Sequence, residues 1–183
     1  MSISDLARPE IRALRPYAPA RQLDGSIRMN ANESPWTDDD RVSPSLNRYP
    51  PVRPWALRDR LAGIYGVDAG RLLVTRGSSE AIDLLIRVFC RPGVDNVLLA
   101  PPTFGMYRVY AEIQGAGIRA VPMHSGEDFV FDVAGLLRAV DANTRLLFLC
   151  SPNNPTGNAL GAGQLEALLE AAIGRFLVVI DEA

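Results

Sequence analysis

Four short stretches of the 183-residue chain set polar or aromatic side chains among turn-forming ones: "RGSSE" at 76–80, "PPTFGMY" at 101–107, "SPNNPTG" at 151–157 and "IDEA" at 180–183. In the first, Gly77 permits a sharp turn, after which Ser78, Ser79 and Glu80 enter a helix. Free N–H groups and serine hydroxyls at a helix start form an anion site; the same residues also make an ordinary cap with a favourable first-turn glutamate. In the second, Phe104 leaves the end of a strand, either as one wall of a pocket for a planar ligand or as core packing. In the third, Asn153 and Asn154 stand between Pro152 and Pro155, although a plain turn needs no paired carboxamides. In the fourth, Asp181 ends an apolar strand. It suits a counter-charge to a protonated ring nitrogen or a metal, a helix cap, or the acid of a Walker B strand.

The chain also lacks groups that many chemistries need. All 19 basic side chains are arginine and none is lysine. Arginine keeps its proton at useful pH and forms no Schiff base, so reactions that need a side-chain amine are closed to this chain. The missing lysine also rules out a G-x-x-x-x-G-K-[ST] loop, which leaves Asp181 without a Walker partner. "GAGIRA" at 115–120 matches G-x-G-x-x-A, but it follows a helix and runs into a strand, the reverse of the dinucleotide context. His124 is the only histidine, so a multi-histidine metal site is excluded and any Ser-His-Asp triad must use it; its neighbours "SGED" mark a surface turn. Cys90 and Cys150 lie sixty positions apart with no metal-ligand spacing and read as two free, buried thiols.

The positioning elements follow from the pattern of apolar residues. With 48% hydrophobic and 22% charged residues, the chain has material for one sizeable core, as one domain or part of one. A net charge of -2 gives no basic field, and the longest like-charge block is Asp38–Asp40, which argues against nucleic acid and membrane surfaces as partners. The first residues lack the basic start and apolar centre of a secretory leader, and no apolar run approaches the ~18 residues of a membrane span, so a cytoplasmic location is expected. The first fifty or so residues, rich in Pro, Asn and Asp, read as an extended arm with one short helix. "PWALRDRLAGIYG" then puts Leu57, Leu61 and Ile64 on one helical face, with Gly66 as its stop. Beyond it, apolar strands ("RLLVT", "NVLLA", "IRAVPM", "RLLFLC", "FLVVI") alternate with amphipathic helices ("SEAIDLLIRVFC", "TFGMYRVYAEIQG", "FDVAGLLRAV", "GQLEALLEAAIG"). That alternation predicts a largely parallel sheet with helices on both faces, which binds ligands at the C-terminal ends of its strands.

All four stretches sit at such ends. An anion-binding helix start, an aromatic plate, a carboxamide and a carboxylate together suit a flat, phosphorylated, protonated heteroaromatic, and pyridoxal 5'-phosphate is such a molecule.

The blocks "MNANESPW", "NRYPPVRPWALRDRLAGIYGV", "VTRGSSEAIDLLIRVFCRPG", "APPTFGMYRVYAE", "CSPNNPTG" and "VVIDEA" resemble, in one order over nearly the whole chain, those of the histidinol-phosphate aminotransferases. "SPNNPTG" with "DEA" marks the fold-type I aminotransferase superfamily, and "RYP" with "PPTFGMY" narrows it to that branch. The resemblance implies an α/β fold: the large domain of a fold-type I aminotransferase, a mostly parallel sheet with helices on both faces, truncated. It implies an N-terminal arm and substrate-closing segment at 1–53, an incomplete cofactor-binding large domain at 54–183, and no C-terminal small domain.

By the same resemblance, Asn154 donates to the ring hydroxyl oxygen of pyridoxal 5'-phosphate, Asp181 pairs with the pyridine N–H, and Phe104 stacks on the ring. Gly77, Ser78 and Ser79 hold the phosphate, and Tyr49 reaches the phosphate in a neighbouring subunit, which implies a homodimer. Tyr17, Asn30, Asn32 and Glu33 lie on the arm that helps to close over the substrate. The family often has Asp or Asn in place of Ser79, and Tyr in place of Phe104. The implied reaction exchanges the amino group of L-histidinol phosphate with 2-oxoglutarate, giving imidazole acetol phosphate and L-glutamate in histidine biosynthesis. Relatives carry the Schiff-base lysine roughly thirty residues beyond "DEA". The chain is therefore expected to be the N-terminal portion of such an enzyme, inactive and prone to aggregate by itself. Two other readings stay open: a fragment of a related amino-acid aminotransferase or threonine-phosphate decarboxylase, and a non-catalytic module that binds pyridoxal phosphate or another phosphate ligand.

Overall fold

Four apolar runs pair as parallel strands: β1 (Asn96–Leu99), β2 (Gly117–Ala120), β3 (Thr144–Cys150) and β4 (Leu177–Asp181), in the spatial order β2-β1-β3-β4. The computed structural model of the chain describes residues 2–18, 26–27, 29–36, 46–51, 53–124 and 129–183. The Asp38–Asp40 run and the "SGED" turn beside His124 lie outside these residues. The chain divides into two compact units, one of residues 1–14 and 75–183, the other of residues 15–74.

In the first unit, helices α3 (Gly77–Phe89) and α4 (Met106–Gln114) lie over one face of the sheet, and α5 (Val133–Ala139) and α6 (Ala162–Ala172) over the other. The alternation of side chains along a strand sorts the core accordingly. Val97, Leu99, Leu146, Phe148 and Cys150 pack with Ile82 and Ile86 of α3 and Tyr107 and Ala111 of α4. Leu98, Leu147 and Leu149 pack with Leu136 of α5 and Leu168 of α6. Both faces are thus buried, which explains why "RLLFLC" reads as an unbroken apolar run. Each fully buried leucine or phenylalanine contributes about 1.5–3 kcal/mol.

At the N-terminal end of the sheet, polar groups are paired. Asp95, whose side chain is wholly buried, accepts from Arg91 Nε at 2.7 Å, Arg91 Nη2 at 2.8 Å and Arg145 Nε at 3.0 Å. Burial raises the Asp95 pKa, but the Arg91 bonds and the charges of both arginines outweigh it and hold the carboxyl below its ordinary value. Asn96, Asp141 and Thr144 form a second network that ties β1 to the turn before β3.

Near the chain start, a 3-10 turn (Ile3–Leu6) and α1 (Pro9–Arg12) belong to the same unit, where Leu6 packs on the α3/α4 side of the core and the Arg8 N–H donates to the Val88 carbonyl at 3.0 Å. The second unit carries α2 (Trp55–Tyr65), stopped by Gly66 at φ 64° as expected. Its apolar face, however, is open: Leu57 and Ile64 are 50% and 68% exposed.

One expected strand is not formed. Only Arg71 of "RLLVT" lies in a regular element, as the last residue of a 3-10 turn (Ala69–Arg71); residues 72–75 have no ladder partners, and Leu73 is 73% exposed. A strand exists only through its neighbour, and no described strand lies beside this segment. "GAGIRA" behaves as its context requires, with Gly115 closing α4 at φ 70° and Gly117 opening β2.

Candidate functional site

The strand order decides where a ligand can enter. From β1 the chain passes through α4 to β2 on one side, and from β3 it passes through α6 to β4 on the other. The loops after β1 and β3 therefore diverge and leave a crevice at the C-terminal strand ends, the usual ligand position in open α/β sheets. Ser78, Phe104, Cys150, Asn154, Asp181 and Ala183 line a cavity of about 230 Å3 there. Sequence reasoning placed four of these, Ser78, Phe104, Asn154 and Asp181, at one site, and the fold brings them together. Gly77 and Ser79 adjoin it on the first turn of α3 without lining the cavity.

The wall nearest α3 is a helix start. Gly77 has φ 69°, and Glu80 reaches back so that its Oε2 accepts from the Arg76 N–H at 2.6 Å. That backbone bond, with the Arg76 side chain, holds the Glu80 carboxyl below its ordinary pKa. Glu80 thus caps the helix, while the N–H groups of the first turn still point out of its N-terminus, where an anion is favoured.

The opposite wall comes from the two loops, and the paired asparagines divide the work. Asn153 is buried: its Nδ2 donates to the Pro102 carbonyl at 2.9 Å and to Thr156 Oγ1 at 2.7 Å, and its Oδ1 accepts from Thr103 Oγ1 at 3.0 Å. It fastens the loop after β3 to the loop that carries Phe104. Asn154 is exposed and faces the cavity. The neighbouring hydroxyl of Thr156 also bonds Asn158, which completes the turn.

Asp181 ends β4 opposite Cys150 of β3. Strand parity places it with Leu177 and Val179 on the α3/α4 face, where Tyr107 lies. Tyr107 is fully buried and donates its hydroxyl to Asp181 Oδ2 at 2.7 Å, while the Ala183 N–H donates to Oδ1 at 3.1 Å. Burial, then the bond to Asp181, raise the Tyr107 phenol above its ordinary pKa. Its ring stacks on Phe148 at 5.0 Å and meets Phe104 edge to face at 5.5 Å. Tyr107 was not singled out from the sequence, and Asn153 was noted only as one of a pair, with no role of its own. The available signal for Tyr107 was a hydroxyl three positions after Phe104 on a core-facing helix, since a buried tyrosine O–H needs an acceptor.

Tyr17, Asn30, Asn32, Glu33 and Tyr49 belong to the second unit. Tyr17 and Tyr49 are 83% and 68% exposed, and Asn32 has φ 50°. The Glu33 carboxylate accepts from Arg48 Nη1 at 3.1 Å and from the Tyr49 N–H at 2.7 Å, which holds "NRYP" against the "ANES" turn. His124 is exposed beside Asp132, and both cysteines are free and buried, as the sequence suggested. Among the described residues no cluster of His, Cys, Asp and Glu suits a metal, and no helix is long and apolar enough to cross a membrane.

Residues 29–183 match the family described as aminotransferase class I and II. The histidinol-phosphate aminotransferase of Xanthomonas euvesicatoria is 47% identical over the whole chain, which covers 51% of that protein, and its counterpart from Serratia proteamaculans is 44% identical with the same coverage. The chain thus spans about half the length of the curated relatives it matches. Among solved structures, N-succinyldiaminopimelate aminotransferase from Mycobacterium tuberculosis is 35% identical with a TM-score of 0.69, over 78% of this chain and 40% of that one. An aspartate aminotransferase mutant from Thermus thermophilus is 32% identical with a TM-score of 0.64, over 69% of this chain and 36% of that one.

Proposed function

The chain belongs to the class I and II aminotransferases, and from that premise we propose that it forms the N-terminal, cofactor-binding part of a histidinol-phosphate aminotransferase. The observation that carries this reading is the cavity where Ser78, Phe104, Asn154 and Asp181 meet. Its side chains fit pyridoxal 5'-phosphate: an aromatic ring, a carboxamide, a carboxylate held by neutral donors, and a helix start for a phosphate. At about 230 Å3 it is smaller than the ~300–1,000 Å3 of drug-sized pockets, which suits one compact ring.

In this proposal Asp181 accepts from the ring N–H and keeps the ring nitrogen protonated. Asn154 donates to the ring oxygen, Phe104 covers one ring face, and Gly77, Ser78 and Ser79 offer N–H and hydroxyl donors to the phosphate. Bound there, the cofactor supplies an electron-accepting ring and a carrier for the amino group. Tyr49 would reach the phosphate of a neighbouring subunit in a homodimer, and Tyr17, Asn30, Asn32 and Glu33 would belong to the arm that closes over the substrate. The reaction served is transfer of the amino group of L-histidinol phosphate to 2-oxoglutarate, in the cytoplasm. The chain binds and orients; with no lysine, it offers no side-chain amine to move the substrate proton, so we expect no turnover from it alone.

The test is a fusion of this chain to the C-terminal half of the Xanthomonas euvesicatoria relative, assayed with 2-oxoglutarate. Preferential transamination of histidinol phosphate over aspartate, phenylalanine and N-succinyldiaminopimelate is expected. Preference for another donor would move the proposal to a related aminotransferase, and a folded fusion with no transamination would overturn it.

A further inference from the structure

We propose that Tyr107 is a positioning residue that fixes the Asp181 carboxylate so that it faces the nitrogen of a bound pyridine ring. This rests on the cofactor reading above and adds a residue to it.

Asp181 is 9% exposed and, among the described residues, has no arginine partner; its side chain accepts from two neutral donors, the Tyr107 hydroxyl on Oδ2 and the Ala183 N–H on Oδ1. The Ala183 donor lies two residues away on the same strand end, so it moves with Asp181. Tyr107 is anchored separately. It sits on the first turn of α4, wholly buried, with its ring parallel to Phe148 of β3 within 11°. Its hydroxyl therefore refers the carboxylate to the middle of the sheet and to the other side of the crevice. Phe104, which meets the Tyr107 ring edge to face, is referred to the same side chain. One tyrosine thus sets both the aromatic wall and the carboxylate. A carboxylate freed from Oδ2 keeps its charge but loses its direction, and a ring N–H bond weakens steeply with angle.

The experiment uses 4-deoxypyridoxine 5'-phosphate, which has the ring and the phosphate but no aldehyde and so needs no lysine. Its affinity for the chain and the protonation of its bound ring nitrogen are followed by ultraviolet absorbance against pH. In Tyr107→Phe the affinity is expected to fall about ten-fold, and the ring-nitrogen pKa of the bound probe to fall by the equivalent of about one unit. Affinity for inorganic phosphate should not change. Phe148→Leu, which removes the stack and leaves the hydroxyl, should leave the probe's spectrum as in the wild type.

An unchanged or raised ring-nitrogen pKa in Tyr107→Phe would overturn the inference alone, as would the same shift in Phe148→Leu. Failure of the wild-type chain to bind the probe would overturn the cofactor reading and this inference with it. If Tyr107→Phe does not fold, the buried, hydrogen-bonded Tyr107 hydroxyl proton of the wild type, assigned with labelled tyrosine, gives the readout. Its resonance must shift when the probe binds, and no shift overturns the inference.

Discussion

Asn153 Nδ2 donates to the Pro102 carbonyl at 2.9 Å and so locks together the two loops that diverge from β1 and β3. Its neighbour Asn154 makes no part of this lock and is turned to the cavity.

The two asparagines should therefore fail differently. Asn153→Ala leaves the Pro102 carbonyl and two hydroxyls short of a partner and should cost about 2–3 kcal/mol in urea denaturation. Asn154→Ala, at an exposed position, should stay within about 0.5 kcal/mol of wild type while weakening 4-deoxypyridoxine 5'-phosphate binding. Equal stability losses would refute the division of labour.

Asp95 supports the opposite end of the sheet. Asp95→Asn takes the buried counter-charge from Arg91 and Arg145, whose guanidinium groups are partly solvated, and should destabilise by about 1–3 kcal/mol. Because the folded carboxyl lies below its unfolded value near 3.9, its contribution is complete above that pH and is lost as pH falls through the lower folded value. Wild-type stability should drop in that acid window, and the part of the drop due to Asp95 should be missing in the variant.

Two glycines should respond with opposite signs. An added Cβ meets no atom within 4 Å at Gly77 or at Gly63. At Gly77, φ 69° is disfavoured for any other residue, so Gly77→Ala should cost about 1–2 kcal/mol. Gly63 sits inside α2, where alanine should add roughly 0.5–1 kcal/mol. Denaturation read through helix signals checks both.

Cys90 should be chemically silent in the folded chain. Burial first, then the Asp95 charge, push its thiol up to about 12, so at pH 8 only about one part in ten thousand is thiolate. Mass mapping after brief exposure to a disulfide reagent should find Cys90 unmodified in buffer and modified in urea. Rapid labelling in buffer would contradict the burial.

The sequence by itself determined the parallel α/β architecture, because strands apolar on both faces and helices apolar on one leave few other ways to bury them. It also marked the residues of the cavity, since Ser78, Phe104, Asn154 and Asp181 stand out as polar or aromatic residues at turns, helix starts and strand ends. It could not assign "RLLVT", whose apolar run looks like a strand; strand formation needs a partner, and partners are a property of the whole sheet. Nor could it separate Asn153 from Asn154, which differ only in which way a loop turns them. Tyr107 reads as an ordinary core residue until the order β2-β1-β3-β4 sets β3 beside β4 and the Tyr107 ring, stacked on Phe148 of β3, puts its hydroxyl 2.7 Å from Asp181. Residues seventy-four positions apart acquire a joint role only when packing fixes the distance between them.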